Sequence, residues 1–509
     1  MKNSGCIVVF CLAVSSVMAL GQGAGGWGDP VEKPAPNGAK LSYPIVDTGQ
    51  IRCYNNTVET VYPTSGKPFF GQDAQYTGNA PRYKDNGDGT VSDLVTGLMW
   101  QQDPGKKLTY AQAVAGAKKF KLAGHKDWRL PTIKELYSLI QFSGTDPHPR
   151  STDPSKLTPF IDRKFFKFKY GDTKAGERII DSQFATSSKY VSTTMGGNAT
   201  MFGVNFADGR IKGYPISSKR RKTKTYHVLY VRENPKYGQN DFVDNKDGTI
   251  TDRATGLTWM TIDSGSYKVG PKKDGKMNWQ EALQWAEALD YAGKSDWRLP
   301  NAKELQSIVD YTRSPDTTKS AALDPLFRIS SFKNPSNKKE YPTHWTSTTH
   351  ANTQGGSTAS YVVFGRGLGW MQGRGGGDYK LMDVHGAGSQ RSDPKSGDPS
   401  KFPHGRGPQG DVIRIYNYAR CVRGGSATAR TEGPKVLKST GGPDGEKPGG
   451  RFVSRLDKNG DGKISKDEFD GPKNHFSKWD KNGDGYISAD EAPKGPPKGK
   501  SPGGRSGRK

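Results

Sequence analysis

The feature that most constrains this chain is an internal repeat, because two copies of one pattern are expected to fold as two copies of one structural unit. Short motifs in the first half return in the same order in the second half. The matching motifs are Asp85-Asn-Gly-Asp-Gly-Thr-Val-Ser-Asp93 with Asp244-Asn-Lys-Asp-Gly-Thr-Ile-Thr-Asp252, Thr96-Gly-Leu-Met-Trp100 with Thr255-Gly-Leu-Thr-Trp259, Asp127-Trp-Arg-Leu-Pro131 with Asp296-Trp-Arg-Leu-Pro300, and Lys134-Glu-Leu136 with Lys303-Glu-Leu305.

Each copy predicts the same order of secondary structure. An Asp-Gly turn between β-forming residues indicates a hairpin, apolar residues at helical spacing indicate a helix, and a second short helix follows a proline. Strands rich in Thr, Ser and aromatic residues complete the unit, so we expect an α+β domain twice over. The positions in the two copies are Asp88-Gly89 and Asp247-Gly248 for the turn, Tyr110–Lys121 and Trp279–Asp290 for the first helix, and Pro131 and Pro300 before the second.

The end of each copy predicts a closing strand, at Tyr226–Arg232 in the first and Val412–Arg423 in the second. Copy two carries extra polar residues between Thr261 and Lys276, which indicate a surface loop. The Gly-, Pro- and Ser-rich stretch from Arg374 to Gly410 predicts a long surface loop as well.

These motifs, with Arg420-Cys-Val-Arg-Gly424 and the run Gly49–Tyr54, resemble the Lcl-type C-terminal domain, a bacterial domain named from collagen-like adhesins. The resemblance covers about residues 45–425. It implies two tandem C-type-lectin-like domains and adhesion through sulfated or acidic glycans. Copy one departs from the pattern, since Tyr230-Val-Arg232 lacks the cysteine of the closing motif.

The motif residues also have a physical interpretation. Trp128 and Trp297 are expected in the core, and Arg129 and Arg298 are expected to pair with a carboxylate such as Glu135 or Glu304. The alternative is that the Arg and Trp side chains of this motif bind a sugar. Neither Asp-Gly turn is expected to bind calcium, because Lys84 and Val243 stand where a calcium loop has its first carboxylate.

The N-terminus has the pattern of a secretory signal peptide. Met1-Lys2 precedes an apolar run from Ile7 to Leu20, which is too short for a stable transmembrane span, with small residues near Ala19. We expect cleavage near Ala19 and a secreted, periplasmic or cell-surface protein without a transmembrane span.

Two cysteines, Cys53 and Cys421, remain after that cleavage. In an oxidising compartment they are expected to form a disulfide that ties the start of the folded region to its end. The alternative is two free thiols.

The formal net charge is +25, and most of the excess lies before Arg430. Such a surface attracts polyanions, which for an exported protein indicates acidic or sulfated glycans or other envelope polyanions; no specific nucleic-acid motif is present. Two clusters are candidate binding segments, or else a solvated loop and an ordinary half-buried segment. They are Lys219, Arg220, Arg221, Lys222 and Lys224, and the alternating run Lys164, Phe165, Phe166, Lys167, Phe168 and Lys169.

Near the C-terminus two twelve-residue segments, Asp457–Glu468 and Asp480–Glu491, fit the EF-hand loop pattern at every constrained position. Calcium takes six to eight oxygen ligands, and each loop offers them from side chains and one backbone carbonyl. The alternative is a degenerate pair of loops that bind nothing. The predicted ligands are Asp457, Asn459, Asp461, the Lys463 carbonyl, Ser465 through water and Glu468, and Asp480, Asn482, Asp484, the Tyr486 carbonyl, Ser488 and Glu491.

Ile464 and Ile487 occupy the position at which paired loops join by a short β contact, and Leu456, Phe469, Phe476 and Trp479 offer a small core. So little apolar surface predicts a module that depends on the metal for stability. The expected organisation is a signal peptide at 1–19, repeats at 45–235 and 236–425, a linker at 426–450, a small all-α EF-hand pair at 451–493 and a disordered basic tail at 494–509.

Three function classes remain to be separated. The main one is a calcium-binding, adhesin-like protein without enzymatic activity. A structural envelope protein without a glycan ligand is the second. The third is an enzyme on a lectin-like scaffold similar to the formylglycine-generating oxidases, but those depend on a reactive cysteine pair, and His125, His344 and His385 are isolated in the sequence.

Overall fold

The computed structural model describes residues 41–148, 150–217, 224–372, 376–434, 450–457, 463–488 and 490–493. The predicted signal peptide, the predicted basic tail and residues 435–449 of the predicted linker lie outside these ranges, so those three predictions remain open.

A segment of short elements, residues 41–79, precedes the first repeat. It contains β1 (Cys53–Tyr54), β2 (Glu59–Thr60), a 3₁₀ turn (Asp73–Gln75) and β3 (Tyr76–Thr77). β1 and β2 form an antiparallel pair. The sequence pattern assigns no role to most of this segment.

The described residues of the first repeat form nine strands and two α-helices. Its strands are β4 (Tyr83–Asp85), β5 (Thr90–Asp93), β6 (Met99–Gln101), β7 (Leu108–Thr109), β8 (Gln183–Thr194), β9 (Asn198–Asn205), β10 (Arg210–Pro215), β11 (Thr225–Tyr226) and β12 (Val231–Arg232), and its helices are α1 (Tyr110–Ala117) and α2 (Ile133–Ser138).

The second repeat follows the same order with further strands. They are β13 (Phe242–Asp244), β14 (Thr249–Asp252), β15 (Leu257–Met260), β16 (Phe332–Lys333), β17 (Lys339–Glu340), β18 (Thr343–Thr349), β19 (Thr358–Val363), β20 (Leu368–Gln372), β21 (Tyr379–Asp383), β22 (Gln390–Pro394) and β23 (Val422–Gly424), with helices α3 (Ser264–Tyr267), α4 (Trp279–Glu287) and α5 (Ala302–Ser307). A further strand, β24 (Thr428–Ala429), lies in the stretch predicted as a linker and pairs with β3, so the start of the predicted linker is ordered by this pairing. The fold is a β-rich member of the α+β class.

The predicted hairpin turns are confirmed in both repeats. β4 pairs with β5 and β13 with β14 in antiparallel register. In the first turn the Asp88 carboxylate accepts hydrogen bonds from the Thr90 amide (3.0 Å) and hydroxyl (2.6 Å), and Asp247 and Thr249 repeat this at 2.9 and 2.6 Å. These aspartates therefore close turns.

The Asp-Trp-Arg-Leu-Pro motif connects the second helix of each repeat to its core. Trp128 and Trp297 are buried, as predicted. Arg129 donates to both carboxylate oxygens of Glu135 at 2.7 and 2.6 Å, and Arg298 does the same to Glu304 at 2.6 Å for both. The predicted ion pairs are confirmed.

Each of these glutamates also caps the first turn of its helix. Glu135 Oε2 accepts from the Thr132 amide at 2.8 Å, and Glu304 Oε2 accepts from the Asn301 amide at 2.9 Å, which completes a capping box at α2 and at α5. A single carboxylate thus starts the helix and neutralises the arginine in both repeats.

The two repeats share one sheet. Its six strands run in the order β18-β19-β22-β10-β9-β8, so three strands from each repeat meet where β10 pairs with β22 at Ile211 and Gln390. The Gly213 amide donates to the His385 carbonyl (2.9 Å), and Arg210 donates to Ser392 Oγ (2.8 Å). The strand edge that each repeat would leave unpaired is covered by the other repeat.

One hydrophobic core lies on this shared sheet. It includes Leu136 and Phe202 from the first repeat and Leu305 and Val362 from the second, all at most 1% exposed. Helices α2 and α5 contact each other across the core. We conclude that the two repeats pack as one body.

Several predicted boundaries were wrong. The long surface loop predicted at Arg374–Gly410 contains β21 and β22, and β22 is a central strand of the shared sheet. Its sequence, Gln-Arg-Ser-Asp-Pro, contains no strong β-former, so pairing with β10 and β19 overrides the local propensity.

The closing strands and first helices are shorter than predicted. Tyr226–Arg232 is divided between β11 and β12, and only the end of Val412–Arg423 is strand, as part of β23. Helices α1 and α4 end at Ala117 and Glu287, and the loop predicted at Thr261–Lys276 contains the short helix α3.

The predicted disulfide was wrong. Cys53 and Cys421 are separate free thiols, each 0% exposed. Cys421 packs in a core cluster with Trp279 and Trp297, whereas Cys53 lies in β1, where burial raises its thiol pKa to about 12 despite the neighbouring Lys395 charge. The two cysteines lie near the two ends of the folded chain, as predicted, but Cys421 lies in a core cluster of the second repeat and Cys53 lies in β1.

None of the helices in the described part of the chain has the length and hydrophobicity that a bilayer crossing requires.

The two Arg–Glu pairs provide a matched test of burial. The Arg298 side chain is 6% exposed and the Arg129 side chain 34%. We expect Glu304→Ala to lower the free energy of unfolding by about 3–5 kcal/mol, because it leaves a buried guanidinium unpaired. Glu135→Ala should cost only about 1–3 kcal/mol, because water can reach Arg129.

Chemical denaturation of both variants measures this difference. Each variant loses the same helix-capping hydrogen bond, so the other substitution serves as the control. Equal losses of stability would contradict the assignment of one pair to the interior and the other to a position that water can reach.

Candidate metal centre and polar cleft

The C-terminal module is built from two helices and two short strands. They are α6 (Gly450–Leu456), β25 (Lys463–Ser465), α7 (Lys473–Trp479) and β26 (Tyr486–Ser488). β25 and β26 pair antiparallel with Ile464 opposite Ile487, and both isoleucines are 0% exposed. The predicted β contact between the loops is confirmed, and it adds a small sheet to a module predicted as all-α.

The predicted core of this module is also confirmed. Leu456 and Phe476 are buried, and Phe469 and Trp479 pack against them with ring centroids 5.6 Å apart. The core is small, as the sequence predicts.

The two loops end in the same way. Glu468 Oε2 accepts from the Ser465 amide (2.9 Å) and hydroxyl (2.8 Å), and Glu491 Oε2 accepts from the Ser488 amide (2.9 Å) and hydroxyl (2.7 Å). Each loop therefore turns its last carboxylate back toward the strand that joins it to the other loop.

The described residues of the second loop form a ring of polar groups. The Gly485 amide donates to Asp480 Oδ2 (3.0 Å), and the Tyr486 amide donates to Asp484 Oδ1 (2.9 Å). Glu491 Oε1 accepts from the Lys481 and Asn482 amides at 3.1 and 3.2 Å. These bonds wrap the backbone around the side-chain oxygens.

Hydrogen bonds also set the charge of the last ligand position. Partial burial raises the pKa of the Glu491 carboxyl, but hydrogen bonds from Ser488 and the loop amides outweigh it and lower the pKa below the usual value. Glu491 is therefore an anion at neutral pH.

The second loop fits a calcium ion by its donor set. All its predicted ligands offer oxygen, and Asp480 Oδ1 is buried without a hydrogen-bond partner, a state that proteins avoid unless another group satisfies the atom. Nowhere in the described ranges do three His, Cys, Asp or Glu side chains converge on one point; in this loop the carboxylates of Asp480, Asp484 and Glu491 each accept hydrogen bonds from amides of the loop. In the first loop Asn459 and Asp461 lie outside the described residues.

Of the first predicted basic segment, the structure describes only Lys224. Lys219, Arg220, Arg221 and Lys222 lie outside the described residues. Lys224 is half-buried, with its Nζ 5.0 Å from the centre of the Tyr214 ring, and burial lowers its pKa. It is therefore partly covered by aromatic side chains.

The second basic segment follows the alternation of its sequence. Phe166 is buried and Phe165 and Phe168 pack against the main core, whereas Lys164, Lys167 and Lys169 are exposed. Lys167 Nζ lies 3.2 Å from Asp103 Oδ2. The aromatic side chains anchor the segment, and the lysines face solvent.

Two histidines are buried beside carboxylates. His344 is 0% exposed, with Nε2 3.4 Å from Asp263 Oδ2, and His385 Nε2 lies 2.7 Å from Asp411 Oδ1. Burial, reinforced by Arg391, lowers the pKa of His385 to about 4. Both histidines therefore lie in the interior of the protein.

Sequence reasoning missed a cleft of about 510 Å³ between the repeats. Its walls come from α2, from the chain that joins the repeats and from the end of α5. These parts are far apart in sequence, so no local motif indicates the cleft. Its polar lining includes Arg129, Lys134, Ser188, Asn240, Asp310 and Asp324.

Comparisons with known proteins agree with this architecture. A family model described as the Lcl C-terminal domain matches residues 89–232 and 248–380, and one described as EF hand matches residues 454–470 and 474–491. No curated protein and no solved structure has significant similarity to the chain. Because the two Lcl matches together cover more than half of the sequence, this chain belongs to the Lcl C-terminal domain family, and it carries an EF-hand pair after the second repeat.

Proposed function

We propose that this chain is an exported, non-enzymatic, adhesin-like protein that binds calcium through its EF-hand pair and acidic or sulfated glycans through its Lcl repeats. The observation that carries the calcium part is in the second loop, where Asp480 Oδ1 is buried without a hydrogen-bond partner and every predicted ligand offers an oxygen atom. Export rests on the apolar run from Ile7 to Leu20.

In the second loop, Asp480, Asn482, Asp484, Ser488 and Glu491 would hold the ion with the Tyr486 carbonyl. Calcium supplies a positive charge that satisfies several acidic oxygens at once. Because the module has few buried apolar side chains, binding of the ion would contribute directly to its folding. We therefore favour a structural role for calcium in the module.

Substitutions of two adjacent acidic residues test the calcium ligands of the second loop. Glu491→Gln should weaken calcium binding at the second loop by about tenfold or more, because it removes an anionic ligand. Asp490→Asn is the matched control, because it removes one negative charge from the adjacent residue, which is not a ligand position of the EF-hand loop pattern. Isothermal titration calorimetry of the full chain with calcium measures both.

Equal affinities in the two variants would contradict the ligand assignment. Absence of any calcium-dependent heat in the unsubstituted chain would contradict calcium binding altogether.

The glycan part rests on the family membership and on the charge. The formal net charge is +25, and the lysines of the 164–169 segment face solvent while its aromatic residues are anchored. Exposed basic groups on a fixed segment can pair with sulfate or carboxylate groups. A C-type-lectin-like fold for repeats at 45–235 and 236–425 agrees with their short helices followed by antiparallel strands.

The absence of enzymatic activity is part of the same proposal. It is supported by His344 and His385, which are buried and paired with carboxylates, and by two buried thiols at separate places.

Heparin affinity chromatography tests the polyanion segment. Reversal of Lys219, Arg220 and Arg221 to glutamate should lower the salt concentration that elutes the chain, because binding to a polyanion depends on local positive charge. The matched control reverses three exposed lysines of β16, β17 and their turn, Lys333, Lys338 and Lys339, for the same total change in charge.

The same shift in both variants would mean that net charge alone governs retention. That result would favour a structural envelope protein without a specific glycan ligand. A larger shift for the first variant supports a defined binding segment.

A further inference from the structure

Each repeat places a hydroxyl group at the same position beside the first turn of its second helix. In the first repeat Ser188 Oγ accepts from the Ile133 amide at 3.0 Å, and in the second Thr348 Oγ1 accepts from the Ala302 amide at 2.9 Å. The Arg–Glu pairs and the lysines Lys134 and Lys303 correspond in the same way. The repeats therefore carry two versions of one polar site.

In the second repeat this site is filled by the segment before the first repeat. Asp73 Oδ2 accepts from the Thr348 hydroxyl at 2.6 Å, and the Tyr76 ring lies 5.4 Å from the Arg298 guanidinium. Lys303 Nζ donates to the Asp47 carbonyl at 2.9 Å. The remaining cavity measures about 20 Å³.

In the first repeat the corresponding site is open to the cleft of about 510 Å³. Arg129 has no aromatic ring over it among the described residues, and its side chain is 34% exposed. In the described ranges, no acceptor is recorded for the Ser188 hydroxyl. Lys134 Nζ donates to Asn240 Oδ1 (2.7 Å), whereas Lys303 reaches two carbonyls.

The cleft is lined by two cations, Arg129 and Lys134, and by three carboxylates, Glu135, Asp310 and Asp324, so only its α2 end can favour an acidic group. Glu135 is already paired with Arg129, and the Asp310 and Asp324 carboxylates accept hydrogen bonds from the Thr312 and Leu326 amides. Beside α2, the Ser188 hydroxyl and the Lys134 ammonium can each donate a further hydrogen bond, and the face of the Arg129 guanidinium is free to stack against a planar ring.

We infer that the open cleft of the first repeat binds an extended peptide segment in which an acidic residue is followed three positions later by a tyrosine. The acidic group would accept from Ser188 and the tyrosine ring would cover Arg129, as Asp73 and Tyr76 do in the second repeat. A planar ring over a guanidinium is a favourable arrangement, and a backbone carbonyl can complete the hydrogen bonding of Lys134.

A peptide is favoured over a glycan because the occupant of the equivalent site is itself a peptide. It is held through its backbone at Asp47 as well as through its side chains. This inference is independent of calcium binding and of the polyanion segments, which lie elsewhere on the chain.

The test uses the full chain and a fluorescein-labelled peptide with the sequence of residues 71–79, Gly-Gln-Asp-Ala-Gln-Tyr-Thr-Gly-Asn. Fluorescence anisotropy should show saturable binding. Replacing the peptide's aspartate by asparagine, or its tyrosine by alanine, should each weaken binding about tenfold, since each removes one of the two anchors.

Variants of the protein locate the binding. Gln239→Trp should abolish it, because Gln239 is exposed on the wall of the cleft and a larger side chain there reduces the space. Gln354→Trp is the matched control at an exposed position outside the cleft. Ser188→Ala should weaken binding about fivefold through loss of one hydrogen bond.

Three results of the peptide-binding assays would overturn the inference. They are no binding of the peptide up to about 1 mM, equal binding by the Gln239→Trp and Gln354→Trp variants, and no difference between the acidic and amide peptides. Displacement of the bound peptide by an acidic monosaccharide, with loss of sugar binding in Gln239→Trp, would assign the cleft to a glycan and would also overturn it.

Discussion

The pairing of β10 with β22 is the contact on which the rest of the structure depends. Each repeat alone would present a three-stranded sheet with an open edge, and such edges invite pairing with other chains. Joining the edges gives a six-stranded sheet with one core on it. The seam also has polar contacts, since Arg210 reaches both Asp146 and Ser392. The duplication is therefore used to complete a fold.

The same packing makes the two repeats unequal. Helices α2 and α5 lie against each other, so their polar ends meet different neighbours. The N-terminal end of α5 contacts residues 41–79, where Tyr76 covers Arg298, whereas the N-terminal end of α2 faces a cleft lined by the chain that joins the repeats and by residues 308–311. One Arg–Glu pair becomes part of the interior, and its equivalent lines a cleft. A duplicated motif thus has a structural role in one copy and a binding role, as we infer, in the other.

The calcium module obeys a different constraint. Its core is limited to a few side chains such as Leu456 and Phe476, and its two loops are joined by one short pair of strands. The polar groups of the second loop are already arranged around its acidic side chains by hydrogen bonds from Gly485 and Tyr486. The repeats, by contrast, pack around an extensive apolar core.

Local patterns in the sequence predict the local features well. The Asp88 and Asp247 turns, the Arg129–Glu135 and Arg298–Glu304 pairs and the contact of Ile464 with Ile487 each depend on residues close in sequence or on one short motif. β22 could not be predicted, because Gln390 and its neighbours become a strand only through pairing with distant residues. The cleft was missed for the same reason. The disulfide prediction failed because the position of Cys53 and Cys421 in the chain says little about their distance in space.

The shared sheet and core require the two repeats to form one folding unit. Native-state hydrogen exchange tests it directly, by comparing amides of β9 in the first repeat with amides of β19 in the second. If the repeats unfold together, the slowest amides of both strands will exchange through one opening with the same free energy and the same dependence on denaturant. Full exchange of β9 while β19 stays protected would contradict the account.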